Sequence, residues 1–361
     1  MPLAHLRRGL SIAALAAAAL LISCATPEPE PPPAPPPPPP APPPPVTLNE
    51  GVAQAASIYV TFIRDVGTIR AGFPDAESIQ AAMRKGAAYD PNQLSRGMIA
   101  YASILALQSP EFVSGVRTFA VDPEQRRQVV NSIIADPAYA ATLPGADVAA
   151  GLIVATLGRD IADLTVIADA VEGDAYTIQE RNDPRRRWAV THITNREIRL
   201  QSAKTLSAIQ MLPSAEESAR LFAAANTGSG LTLDASRQGP PYTPAIVNAL
   251  AIAALAALGA AGEDARANTE ALAIESNSEF CLNMSKLNLF QCLAASRPSY
   301  EDMFCVGRHI VRDLATCAAA STTPAPILIP ETTVAETTPV ATPVVAGPST
   351  ASLNSAPATV N

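Results

Sequence analysis

Apolar residues recur at helical spacing along most of the chain between residue 48 and about residue 318. The clearest stripe repeats every three or four residues, as on the buried face of an amphipathic helix. It comprises Val52, Ala55, Ala56, Tyr59, Phe62, Ile63, Val66 and Ile69. No long alternating run of β-branched residues, which would predict a strand, competes with this pattern. We therefore predict an all-α domain of about ten to twelve helices.

Capping residues followed by proline mark many of the predicted helix starts. The pairs are Asp90-Pro91, Ser109-Pro110, Asp122-Pro123, Asp136-Pro137 and Asp183-Pro184. In each pair the side-chain oxygen can accept a hydrogen bond from a free backbone N–H, and proline suits the first helical position. Residues at the spacing of a capping box are Gln93, Gln125, Glu217 after Ser214, and Asp302 after Ser299. Breaks between helices are expected near Phe73-Pro74, Leu143 to Gly145, Leu212-Pro213 and residues 226 to 241.

Alanine is abundant in this region, which predicts an Ala-rich bundle whose helices approach one another closely. The run from Ala245 to Ala261 is uncharged and 17 residues long. A membrane span needs about 20 apolar residues, and this run contains Asn248, so we predict a central buried helix. The region as a whole is long enough for one sizeable core or for two fused bundles.

The first 24 residues carry a different pattern. Arg7 and Arg8 precede an apolar core from Leu10 to Ile22, and Leu21-Ile22-Ser23 leads directly into Cys24. This order resembles the signal peptide and lipobox of bacterial lipoproteins. The resemblance implies that residues 1–23 are removed and that Cys24 is lipidated on its thiol and on its new amino group.

Two simpler interpretations of this segment were weighed against the lipoprotein resemblance. A plain secretory signal would not need a cysteine at the cleavage point. A spanning anchor would need about 20 apolar residues, and this core has 13. Several acyl chains would anchor the protein stably. Because Ala25 and not aspartate follows Cys24, the resemblance implies an outer-membrane address, with the domain facing the periplasm or the cell surface.

Two segments of low complexity flank the domain, residues 48–318. Residues 27–45 are almost entirely proline, which excludes helix and sheet and predicts a polyproline II rod of about 60 Å. With Cys24 they form a tether, residues 24–47, that would hold the domain away from the membrane. Residues 319–361 are rich in threonine, proline and alanine, a composition that predicts a disordered tail.

Four cysteines remain once Cys24 is lipidated, and export would place them in an oxidising compartment. They are Cys281, Cys292, Cys305 and Cys317. They lie on two predicted helices joined by a turn at residues 297–299, which together form a helical hairpin over residues 275–318. Facing residues of such a hairpin are equidistant from its turn. The midpoints of Cys292 with Cys305 and of Cys281 with Cys317 are 298.5 and 299, so we predict this nested pairing.

The other cysteine arrangements fit less well. A crossed pairing has midpoints far from the turn, and a sequential pairing would join cysteines about 16 Å apart along one helix. A zinc site of four cysteines is the functional alternative, but zinc ligands favour shorter spacings. The hairpin resembles in outline the twin-cysteine hairpins of mitochondrial intermembrane-space proteins, although ten and eleven residues separate the cysteines here. We predict structural disulfides and no metal site.

Residue types that commonly carry catalysis are scarce. Only His192 and His309 lie beyond the signal segment, and we find no nucleophile elbow, no His-Glu-x-x-His and no phosphate-binding loop. Glu275-Ser276 is similar to the catalytic Glu-Ser pair of the all-α lytic transglycosylases, in which a buried glutamate would protonate a glycosidic oxygen. The rest of that family's motif is missing. We therefore predict no catalytic residue and no cofactor.

One basic cluster stands out in a chain whose net charge is −8. It comprises Arg185, Arg186 and Arg187 and is followed by Trp188. Guanidinium groups beside an indole are suited to the phosphates of lipid A or to an anionic glycopolymer. The alternative is a solvated first helical turn with Trp188 packed into the core.

These features predict a lipid-anchored envelope protein with a non-enzymatic helical domain that binds a protein or peptidoglycan partner. A first alternative is a helical carrier of a lipid-like or small ligand, which would need an apolar pocket. A second is a peptidoglycan-cleaving enzyme that uses Glu275. The acidic net charge argues against nucleic acid as a partner. The sequence leaves the oligomeric state open.

Overall fold

The computed structural model describes residues 42–181, 184–231, 233 and 236–324. The predicted signal segment, Cys24, most of the proline run, Asp183 and most of the C-terminal segment from residue 319 lie outside the described residues. Contacts between residues divide the chain into one unit of residues 1–44 and a second of residues 45–361. Every element described below belongs to the second unit.

Fourteen α-helices make up most of the described residues, which contain no β-strand. They are α1 (Glu50–Val66), α2 (Ala76–Ala87), α3 (Pro91–Ala106), α4 (Pro110–Arg117), α5 (Pro123–Ala135), α6 (Ala146–Glu180), α7 (Arg187–Val190), α8 (Arg196–Ser207), α9 (Ala215–Thr227), α10 (Pro244–Ala257), α11 (Arg266–Leu272), α12 (Ser276–Ala295), α13 (Ser299–Val306) and α14 (Asp313–Thr322). Short 3₁₀ turns lie at Thr118–Ala120, Pro137–Thr142, Pro184–Arg186 and Glu263–Ala265. The all-α prediction is confirmed.

Helix α10 lies at the centre of the core. Every residue from Ala249 to Leu258 is 0% exposed, and α10 contacts α3, α4, α5, α6, α11 and α14. Asn248 stays at the surface and donates a hydrogen bond to the carbonyl of Ile274 at 3.3 Å. The buried helix predicted from the alanine-rich run is confirmed. Among the described residues, the helices are all either too short or too polar to cross a membrane.

The largest helix–helix contact of the described residues joins α1 and α3. It depends on Gly97, where a Cβ atom would lie 2.6 Å from the carbonyl oxygen of Ala55. A backbone oxygen cannot move aside as a flexible side chain can, so alanine at position 97 would force the two helices apart. The predicted α1 stripe faces this contact, and Tyr59 and Phe62 are buried within it.

The predicted caps occur at most of the helix starts. Asp90 accepts a hydrogen bond from the N–H of Gln93 at 2.8 Å, and Ser109, Asp122, Asp136 and Ser214 cap their elements in the same way. The capping-box half of the prediction is wrong at Gln93. Its amide binds the backbone of Met211 on both sides, accepting from the N–H at 2.8 Å and donating to the carbonyl at 3.2 Å. The side chain therefore fixes the loop after α8 and not its own helix start.

The cap predicted at Ser299 is also wrong. Helix α13 begins at Ser299 itself, the N-cap is Pro298, and no side chain caps this end. The carboxylate of Asp302 accepts hydrogen bonds from Ser296 and Gln80 and forms an ion pair with Arg199. A buried cation is a stronger partner for a buried carboxylate than a backbone N–H, and it draws Asp302 away from a capping role.

The nested disulfide pairing is confirmed. Cys281 is bonded to Cys317 with a Cα–Cα distance of 5.6 Å, and Cys292 is bonded to Cys305 with a distance of 5.8 Å. Both distances lie within the range that a disulfide spans. The bonds join α12 to α13 near the turn and to α14 at the far end, so the hairpin is covalently closed at both ends.

A π-helical segment, Gly307–Arg312, reconciles the unequal cysteine spacing of the two arms. Cys281 and Cys292 are 11 residues apart, so at about 100° per residue they lie within about 20° of one another on α12. Cys305 and Cys317 are 12 residues apart, which would separate them by about 120° on a straight helix. The wider π turn absorbs the extra residue and returns Cys317 to the face of Cys305.

Neighbouring helices fix the π-helical segment. Ser285 of α12 donates a hydrogen bond to the carbonyl of His309 at 3.3 Å, which satisfies an acceptor within the π turn. Ile310 packs against Gly86 of α2 so closely that a Cβ atom there would lie 2.2 Å from its Cγ2. Arg312 forms ion pairs with Glu172 and Asp169 of α6 at 2.6 and 2.5 Å.

We predict that deleting Arg308 preserves both disulfides. The deletion places Cys305 and Cys317 11 positions apart, as Cys281 and Cys292 are, so a straight α-helix would keep them on one face. Deleting Asn283 of α12 is the matched control, because Asn283 is also exposed but lies in a regular α-helix. That deletion turns Cys281 by about 100° relative to Cys292 and should abolish one bridge. Non-reducing peptide mapping distinguishes the two outcomes, and loss of a bridge on Arg308 deletion would contradict the register argument.

Candidate functional site

Trp188 lies between two neighbouring clefts on the surface of the domain. The arginine cleft has a volume of about 480 Å³ and is lined by Gly72, Phe73, Pro74, Asp174, Thr177, Ile178, Arg181, Arg185, Arg186 and Trp188. The histidine cleft has a volume of about 540 Å³, and its walls come from α2, from α8 and from residues 191–195 between α7 and α8. Both volumes are typical of sites that hold a small molecule or a group of a larger one.

The arginine cleft collects three guanidinium groups beside an indole. Arg186 forms an ion pair with Asp174, whose second carboxylate oxygen accepts a hydrogen bond from the N–H of Gly72 at 2.9 Å. Asp174 thus holds both Arg186 and the loop that forms the opposite wall. Arg181 and Arg185 are exposed at the same cleft. Cations outnumber carboxylates in this lining, which suits it to an anionic group.

The predicted basic cluster is therefore only partly brought together. Arg185, Arg186 and Trp188 line the arginine cleft, but Arg187 is exposed and lines neither cleft beside Trp188. The carbonyl of Arg187 accepts a hydrogen bond from Thr191 at 3.1 Å. Arg181, at the C-terminal end of α6, completes the cleft, and no spacing pattern in the sequence pointed to it. Trp188 is partly buried against the core.

The turn of the disulfide-bonded hairpin supports the floor of the histidine cleft. The N–H of Ile193 donates to the carbonyl of Arg297 at 2.8 Å, and the N–H of Ser299 donates to the carbonyl of Thr191 at 3.3 Å. Arg196 of α8 donates to the carbonyls of Ala294 and Ser296 at 2.6 and 2.8 Å. These last carbonyls of α12 would otherwise lack partners, so α8 serves as the C-terminal cap of α12.

A buried ion pair lies beneath this contact. Arg199 is 6% exposed, and Asp302 is 1% exposed. Arg199 also donates to the carbonyl of Leu293 at 2.5 Å and to the hydroxyl of Ser296 at 3.1 Å. Burial, with the nearby charge of Arg196 as a second cause, lowers the pKa of Arg199 to about 10, which leaves it charged at neutral pH. The pair joins α8, α12 and α13, and Gln80 connects α2 to it with a hydrogen bond to Asp302 at 2.8 Å.

Glu275 has a structural role that accounts for its burial. It is the N-cap of α12 and is 7% exposed. Its two carboxylate oxygens accept hydrogen bonds from the N–H groups of Asn277 and Ser278 at 3.0 and 2.7 Å. Both carboxylate oxygens are therefore used to cap α12, and this contact accounts for Glu275 without the role that the lytic-enzyme alternative gives it.

A separate cleft of about 360 Å³ contains a carboxyl group with an unusual environment. Asp160 of α6 faces Tyr101, Arg64 and Arg220, with Asp163 nearby. Burial, together with the charge of Asp163, raises the pKa of Asp160 to about 6, against the opposing charge of Arg159. Asp160 therefore holds a proton in mildly acidic conditions.

Two further observations concern metal sites and similarity to known proteins. No group of three or more histidine, cysteine, aspartate or glutamate side chains in the described part of the chain is placed to hold a metal ion. Comparison of the chain with protein-family models, with curated proteins and with solved structures found no match.

We predict that Asp160→Asn stabilises the protein at pH 7 but not at pH 4. An aspartate with a raised folded pKa binds its proton more tightly when folded, so its contribution to stability falls as pH rises from about 4 to about 6. The expected gain in unfolding free energy at pH 7 is about 1 kcal/mol, after discounting for partial exposure. Urea unfolding at both pH values measures it. An equal change at both pH values would contradict the assignment.

Proposed function

We propose that this chain is a lipid-anchored protein of the bacterial cell envelope whose helical domain binds an anionic envelope partner. The partner carries phosphate or carboxylate groups, as lipid A and anionic wall polymers do. Support for the address comes from the signal-like segment that ends at Cys24 and from the proline run that follows it. The observation that carries the binding proposal is the arginine cleft, with Arg181, Arg185 and Arg186 beside Trp188.

The chemistry of the arginine cleft suits a planar or tetrahedral oxyanion. Guanidinium groups present paired N–H donors that match phosphate and carboxylate oxygens. Trp188 and Phe73 supply aromatic surface for the adjoining sugar or acyl part of the partner. Arg186 is already oriented by Asp174, so little side-chain ordering remains to oppose binding.

A tether of the predicted length would let the domain meet such a partner away from the membrane surface. The stiffness of a proline run keeps the domain at a distance, and several acyl chains keep it from diffusing away. The buried charges of Arg199, Asp302 and Glu275 are used in packing and in helix capping. Binding is therefore the activity that we propose.

We predict that replacing Arg181 and Arg185 with glutamine weakens binding to lipid A vesicles at least tenfold at about 50 mM salt, since two charge-assisted contacts are lost. Arg186 is kept because it anchors Asp174. The protein used is the chain from residue 25 onwards, so that acyl chains contribute nothing, and binding is measured by co-sedimentation.

Arg187→Gln is the matched control, since Arg187 belongs to the same cluster but lies outside the cleft. This variant should change the affinity for lipid A vesicles less than about twofold. Raising the salt concentration should lower the affinity of the wild type toward that of the double variant. Equal effects of both variants would favour a diffuse basic surface. Absence of any salt-sensitive binding to lipid A or to purified wall polymer would overturn the proposal.

We also predict that Cys24→Ser removes the protein from the membrane fraction. Cys24 is the acceptor in the proposed lipidation, and α10, the most apolar described helix, is buried in the core. Fractionation of cells without detergent, followed by detection of the protein in each fraction, measures the change. Membrane attachment of the variant equal to that of the wild type would exclude Cys24 as the anchor.

A further inference from the structure

A fourth cleft, here called the apolar cleft, lies on the part of the domain formed by α1, α3, α10, α11 and the loop after α8. Its volume is about 330 Å³. The walls combine apolar side chains, among them Val52, Ala55, Ile58 and Leu212, with polar ones at the rim. Clefts with apolar walls and few polar groups are typical of ligand sites.

Arg96 of α3 is the charged group in this cleft that the fold leaves without a partner. Its Nε–H is buried and has no hydrogen-bond acceptor among the described residues. None of the ion pairs formed by described residues includes Arg96. Because Arg96 lines the cleft and no carboxylate of the described residues pairs with it, an anionic group that entered the cleft would gain a charge-assisted hydrogen bond with its guanidinium.

The other charges of the apolar cleft are accounted for. Arg266 forms an ion pair with Glu263 at 2.6 Å. Glu270 is exposed and acts on Arg266, whose pKa is raised chiefly by its hydrogen bond with Glu263. Arg96 is therefore the cation of this lining that forms no ion pair with a described carboxylate.

The loop after α8 extends the apolar surface to the mouth of the cleft. The amide of Gln93 holds the backbone of Met211 with two hydrogen bonds. The next residue, Leu212, lines the cleft and is nevertheless 81% exposed. A leucine held in water at the mouth of an apolar cleft offers additional surface to an aliphatic ligand.

We propose that the apolar cleft binds a medium-chain fatty acid, with its carboxylate on Arg96 and its alkyl chain along α1 and Leu212. At about 30 Å³ for each non-hydrogen atom, the share of one water molecule in the liquid, the cleft accommodates about 11 such atoms. That number matches a chain of eight to ten carbons. This site is distinct from the arginine cleft and does not depend on the function proposed for it.

The test compares decanoate with 1-decanol, which has the same chain length but no charge. Isothermal titration calorimetry of the chain from residue 25 onwards should show decanoate binding at least tenfold more tightly than decanol, because only the carboxylate forms a charge-assisted bond with Arg96. Arg96→Gln should remove that preference and leave decanol binding unchanged. Arg127→Gln, an exposed arginine of α5, is the matched control and should behave as the wild type.

A second variant keeps the proposal falsifiable if Arg96→Gln disturbs the fold. Ala55→Leu places a larger side chain on the α1 wall of the cleft and should weaken both ligands at least tenfold. The helix content of each variant is checked by circular dichroism. The proposal is overturned if the wild type shows no saturable decanoate binding up to about 1 mM, or if a folded Arg96→Gln variant retains the preference for decanoate.

Discussion

The buried ion pair between Arg199 and Asp302 is the interaction on which the arrangement of the site depends. It joins α8 to the end of α12 and the start of α13, with Gln80 of α2 as a further partner. Removing one member of such a pair leaves an uncompensated buried charge, which typically costs about 3–5 kcal/mol. The pair therefore stabilises one particular arrangement of these four helices.

The disulfide-bonded hairpin gives this meeting point a rigid base. The Cys292–Cys305 bond closes the hairpin beside the turn that contacts residues 191–193, and the π-helical segment sets the register of the Cys281–Cys317 bond. Residues 191–193 and Ser299 line the histidine cleft, so that cleft is built against a covalently closed element. A site held in this way loses little conformational freedom when a ligand binds, so the entropic cost of binding is small.

Local sequence patterns were sufficient to predict many of the helix starts and the disulfide pairing. The caps at Asp90 and Asp122 depend on neighbouring residues alone, and the cysteine pairing follows from the symmetry of a hairpin about its turn. The π-helical segment was not predicted, although the unequal cysteine spacing was its signal. A π turn accommodates one residue more than the same stretch of straight α-helix. Only the requirement that both disulfide bonds form decides between the two conformations.

Interactions between residues distant in sequence were beyond local patterns. Asp302 stood at a capping-box position, yet it pairs with Arg199, which lies 103 residues away. Arg181 joins the arginine cleft because α6 ends there and the chain returns through Pro184. Lys286 is buried at 7% exposure, where its ammonium donates to the carbonyls of Tyr89 and Ser207. Each of these placements is decided by packing between helices, which no local spacing encodes.

Trp188 is the single tryptophan of the chain, so its fluorescence reports directly on the site. The most direct test of the account compares acrylamide quenching of Trp188 fluorescence in the wild type and in Asp302→Asn. Asp264→Asn, at an exposed position, is the control. All three proteins are measured under conditions in which circular dichroism shows them to be helical. The account predicts stronger quenching and red-shifted emission in Asp302→Asn alone, because α8 and the residues before it lose their anchor. Quenching and emission identical to those of the wild type would contradict the claim that the buried ion pair holds the site together.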